Sequence, residues 1–236
     1  MTSIMRWAAI AATALLSAAS AHAAEKRFGL TSFAAIEVGA DVDVEVVTRA
    51  PVSAVATGSQ DALDRLTVEN RDGRLVIGMR QFAGDDRRGS SPGAVLLRIN
   101  AATLQSATLV GAGSLHIDGM KGQRVALGLR GPGKLSVDAV DTDRLAVAMI
   151  GNGTLTLAGK AKQAQMTLSG SGVVDAGKLA VDGLISDSEG TGDHIFNAVK
   201  SAAITARGSG KTVVLGRPVC TVRNVGTGTV ACGRAR

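Results

Sequence analysis

Aromatic side chains are almost missing from this 236-residue chain: Tyr is absent, the one Trp is Trp7, and Phe28, Phe33, Phe82 and Phe196 complete the set. Without Trp or Tyr beyond residue 7 there is no platform for stacked bases, which argues against a nucleic-acid partner. Cysteine is confined to Cys220 and Cys232. Long apolar runs are lacking too. The run at residues 7–16 is the most apolar stretch, shorter than the ~20 residues a spanning helix needs, so no transmembrane segment is expected in the mature chain. No Gly-x-Gly-x-x-Gly and no Gly-x-x-x-x-Gly-Lys-Ser/Thr occurs, so the many glycines do not form a phosphate cradle. The net charge of +6 falls to +5 without Arg6, and the basic residues are scattered between apolar positions, which reads as a solvated surface.

The chain opens as a secretory signal. Arg6 gives the positive start, residues 7–16 the apolar core, and Ala21-His22-Ala23 the small-residue cleavage site. Residues 1–23 are therefore expected to be a signal peptide and residues 24–236 one domain, in the periplasm or at the cell surface. No cysteine follows the cleavage site, which argues against lipid attachment there.

Glycine, at 30 residues, is about twice its usual ~7% share, and it is ordered. A Gly-x-Gly unit recurs seven times with first glycines at 111, 131, 151, 170, 190, 208 and 226, in steps of 18 to 20 residues. Such a period marks a solenoid. Apolar residues alternate on both flanks as in strands. Leu109, Leu129, Met149 and Leu168 stand two residues before the pairs; Leu115, Leu135, Leu155, Val174 and Val230 stand two after. Ile117, Val137, Leu157, Ala176, Phe196, Val214 and Cys232 stand four after, and Met120, Val140, Leu179 and Val199 seven after. These columns predict three inward runs per coil and an all-β, right-handed parallel β-helix-like solenoid of about 18 to 20 residues per coil.

Residues 24–100 are less regular. Phe33, Ile36 and Val38, then Val42, Val44 and Val46, alternate as strands. Residues 60–65 predict one short helical turn, and residues 66–68 and 75–77 flank a turn at Asn70-Arg-Asp-Gly73. Residues 81–93 are polar and glycine-rich, a surface loop.

This order of strands, followed by stacked Gly-Ser-Gly-like units, resembles the family called putative auto-transporter adhesin, head GIN domain, over nearly all of the mature chain. The resemblance implies a β-helical exported protein and carries over no functional residues. An autotransporter carries a C-terminal membrane barrel, whereas this sequence stops at Arg236 directly after the last repeat, so a soluble periplasmic or released protein is expected.

Cys220 and Cys232 fall in inward columns of the same last coil, and an oxidising compartment predicts a disulfide between them. His116 and His194 occupy different offsets from their glycine pairs, which argues against a two-histidine metal site. Residues 186–194 are the one place where hydroxyl and carboxylate groups replace the apolar columns. Asp187, Glu189, Asp193 and His194 read as a surface patch on a local bulge. No catalytic residue, metal ligand or cofactor is assigned. The expectation is a non-enzymatic binding or structural module, adhesin-like or envelope-associated, with a glycan, protein or lipid partner. The alternative is a β-helical polysaccharide-acting enzyme using the acids of residues 187–193.

Overall fold

In a computed structural model the described residues are 24–80 and 94–234. The signal reading for residues 1–23 and the loop reading for residues 81–93 lie outside them. The chain runs β1 (Ala24–Phe28), β2 (Ala35–Val38), β3 (Asp43–Thr48), β4 (Ser53–Gly58), α1 (Gln60–Arg65), β5 (Leu66–Arg71), β6 (Arg74–Met79), β7 (Leu96–Ala101), β8 (Ser106–Val110) and β9 (Ser114–Ile117). The regular coils follow as β10 (Met120–Arg130), β11 (Lys134–Gly151), β12 (Thr154–Gly170), β13 (Val173–Gly190), β14 (His194–Gly208), β15 (Lys211–Leu215), β16 (Val219–Gly226) and β17 (Thr229–Arg234).

From β8 and β9 onward every rung pairs in parallel with the next, giving a β-solenoid of about six turns. The cause is visible in the register. Leu75, Ile36, Ala107, Leu127, Val147 and Met166 are successive partners in one column, and all are buried. Burying each such side chain contributes about 1.5–3 kcal/mol before entropy is set against it. A one-residue slip would turn the whole column to solvent, so the apolar pattern holds the register.

Glycine at the corners answers a steric demand. At Gly190 the backbone has φ 126, and a Cβ would lie 2.0 Å from the carbonyl oxygen of Gly170 on the rung below. Only a residue without a side chain lets these corners stack.

The N-terminal coils form the same interior differently. β5 and β6 make an antiparallel hairpin turned by Asp72 (φ 52) and Gly73 (φ 75), and β1, β4 and β7 pair antiparallel on the other face. The helix α1 forms at the expected residues, with Ser59 Oγ accepting from the Ala62 amide, and buries Ala62 and Leu63. Asp41 and Asp118 tie this part to the first regular coil: Asp41 accepts from the Ala112 amide at 2.7 Å, Asp118 from the Thr48 amide and hydroxyl at 2.9 Å each.

At the other end Cys220 and Cys232 are joined, with Cα atoms 6.3 Å apart. Cys220 stands in the column of Val125, Leu145, Ala164, Leu184 and Ala202. One expected inward position is corrected. Val199 is exposed and Ala198 is buried in its place as the partner of Val181, because the register between β13 and β14 shifts where the coil shortens to 18 residues.

Candidate functional site

The expected patch at residues 186–194 is split between inside and outside. Alternation through β13 turns Ser186 and Ser188 inward and Asp187 and Glu189 outward, and after the corner at residues 191–193 His194 is inward again while Asp193 is outward. It is a regular rung whose core side chains are polar. Ser186 takes the column place between Met166 and Ile204, and His194 the place between Val174 and Thr212. His194 is 5% exposed, stacks on Phe196 at 6.1 Å between ring centroids, and its Nδ1 has no hydrogen-bond partner; nor has Ser186 Oγ. Burial pushes the His194 imidazole below its ordinary pKa, against the opposing charge of Asp193.

The carboxylates meet different partners. Asp187 is paired with Arg207, and Asp193 accepts from the Lys211 amide at 3.0 Å. The cavity beside them, lined by Ser188, Gly190, Gly192, His194 and Thr212, holds about 10 Å³. That is near the lower limit for one water and far below the hundreds of Å³ of a small-molecule site. His116 is elsewhere, outward, with Nδ1 2.8 Å from Ser136 Oγ and Nε2 3.2 Å from Asp138 on the next coil. Among the described residues no three His, Cys, Asp or Glu side chains gather as a metal site.

A wider recess lies on another edge of the solenoid. Gln105, Gln123, Arg124, Asp143 and Arg144 line an open groove of about 480 Å³. Arg124 and Arg144 are register partners on β10 and β11, so the backbones of two residues of like charge lie one rung, about 4.8 Å, apart. Asp143 is occupied by Lys162 at 2.8 Å, which holds that ammonium above its ordinary pKa through its hydrogen bond and charge. Neither Arg124 nor Arg144 makes an ion pair among the described residues. Like charges placed side by side on a sheet repel, and an anion lying across both would relieve that repulsion. The amides of Gln105 and Gln123 add donors and acceptors beside them. The signal in the sequence was the 20-residue spacing of Arg124 and Arg144, one full coil, outside the apolar columns.

Stacked parallel rungs around an aliphatic interior, with the recess outside, define a β-solenoid protein. The chain belongs to the putative auto-transporter adhesin, head GIN domain family, whose model matches residues 32–218. Its fold is similar to that of a putative adhesin from Bacteroides fragilis, TM-score 0.78 at 20% identity over 90% of this chain and 97% of that one. A putative lipid binding protein from Parabacteroides distasonis gives 0.72 at 17% identity, covering 91% and 98%. A putative adhesin from Parabacteroides merdae gives 0.70 at 18% identity, covering 91% and 97%. No curated protein matches the chain. Among the described residues no helix is long and apolar enough to cross a membrane.

Proposed function

We propose that the protein is an exported, non-enzymatic, adhesin-like binding module whose groove takes an anionic glycan of the cell envelope or of a facing surface. The observation that carries this is the stacked, unpaired Arg124 and Arg144 within the groove of Gln105, Gln123 and Asp143. Guanidinium forks match carboxylate or phosphate groups, and amides match hydroxyls. The rigid stack fixes their spacing, so little order has to be gained on binding. The leader-like residues 1–23 and the adhesin family support export and a surface role. The acids of residues 187–193 support the enzymatic alternative poorly, since two of the three are engaged by Arg207 and Lys211.

Binding of the purified protein to arrays of anionic and neutral glycans tests the reading. Anionic glycans should be retained, and Arg124→Ala with Arg144→Ala should abolish retention while the fold persists. Retention of neutral glycans alone, or turnover of a polysaccharide that Asp187→Asn and Glu189→Gln remove, would replace it.

A further inference from the structure

The basic residues run along the whole chain, but the acidic ones stop short of its end. The last carboxylate side chain of the chain is Asp193; after it come Lys200, Arg207, Lys211, Arg217, Arg223, Arg234 and Arg236 and no Asp or Glu. The first 193 residues hold 19 basic and 20 acidic residues, so the whole net charge of +6 arises in the final coils. Lys200 and Arg207 are neutralised by Asp182 and Asp187 of the preceding rung. Lys211, Arg217 and Arg223 are exposed and have no carboxylate partner among the described residues. Lys211 lies in β15 on one face, Arg217 in the bend that follows, and Arg223 in β16 on another face. They therefore ring the end of the solenoid, within its last two rungs.

That end is open. β16 pairs only with β14 and β17 only with β15, so among the described residues their outer edges carry free backbone donors and acceptors. Apolar side chains stand out there as well: Val219 is 77% exposed, Val222 44% and Val225 50%. Basic side chains around exposed valines, with free backbone N–H groups and no carboxylate side chain after Asp193, match a layer of phosphate headgroups over acyl chains.

We propose that this end docks end-on against an anionic phospholipid bilayer, with Lys211, Arg217 and Arg223 on lipid phosphates and Val219 and Val225 at the headgroup boundary. A second copy joined end to end would set like charges against each other. Charge that merely guards an open edge against aggregation needs no such exclusion of acids over the last 43 residues. Docking by the end leaves the Arg124–Arg144 groove on the flank free, so the inference goes beyond the glycan reading and stands without it.

Co-sedimentation with phosphatidylcholine vesicles, with and without phosphatidylglycerol, tests it. The wild-type protein should bind only the phosphatidylglycerol vesicles, less as salt rises. At roughly fivefold per basic side chain near an anionic surface, the K211E/R217E/R223E variant should bind at least about 100-fold more weakly, with an unchanged circular dichroism spectrum. Both proteins share the same N-terminal residues, so their difference reads the end coil alone. Val219→Ser with Val225→Ser should weaken binding severalfold without changing its salt dependence. Arg124→Ala with Arg144→Ala should bind vesicles as wild type does, even if glycan binding fails altogether.

Equal binding by wild type and the charge-reversed variant would overturn the proposal. So would retention on polyglutamate beads without vesicle binding, which would assign an acidic protein partner instead. Absence of both, with the charge-reversed variant self-associating, would reduce the basic rim to an edge guard and also overturn it.

Discussion

The two ends of the solenoid solve one problem by opposite means. A stack of parallel rungs leaves an open edge and an uncovered interior at each end, and both invite aggregation. At the N-terminal end antiparallel strands extend each face, and α1 lays Ala62 and Leu63 into the interior. At the C-terminal end the interior is shut by a covalent bond, and the rim carries positive charge. The first end is covered by burial; the second is cross-linked and basic but keeps open strand edges. A basic end is able to face an anionic partner.

Between the ends, Gly190→Ala should cost the most, about 3–5 kcal/mol, because a left-handed backbone and an overlap with Gly170 add together, and chemical denaturation should show it. At the closed end Leu63→Ala should cost about 3 kcal/mol in the same experiment, by opening a cavity under the cap. At the open end, reducing the Cys220–Cys232 disulfide should cost about 2–3 kcal/mol, since it closes a short loop. Hydrogen exchange should then accelerate in residues 219–234 and leave the N-terminal cap unchanged.

The smallest effect concerns pH. The unfolded His194 titrates near its ordinary value of about 6.5 and burial lowers the folded value, so the unfolded chain binds the proton more readily. The stability this group contributes is full above that value and is lost as pH falls below it. His194→Leu would continue the column of Leu115, Leu135 and Leu155, and should flatten that acid-side loss in a series of melting temperatures.

Most of the architecture was legible because it repeats. Seven glycine pairs and their aliphatic columns gave the parallel stack and the final cysteine pair, and local chemistry gave α1 and the turn at Gly73. What escaped reading has physical causes. Val199 sits by count in an inward column, but coils shortened to 18 residues shift the register by a residue or more. His194 looked like surface because it is polar, yet alternation outweighs polarity when every neighbouring rung fixes which way a residue points. Arg124 and Arg144 passed as solvated charge, since only stacking brings residues 20 apart side by side. The basic end was within reach of the sequence, as a stretch of 43 residues without Asp or Glu, and was passed over because its basic residues stand singly between apolar ones.

Successive rungs superpose residue on residue. Thr108, Ala148, Thr167 and Thr205 lie in one outward column, linked through Gly128 and Asp187 by five consecutive register pairs. Paired spin labels at Thr108→Cys and, in turn, Ala148→Cys, Thr167→Cys and Thr205→Cys would measure the stack directly by electron–electron distances. The separations should rise in step with the rung count, about 4.8 Å per rung, to roughly 24 Å for the last pair. Distances that fail to increase in that order would contradict the stacked account.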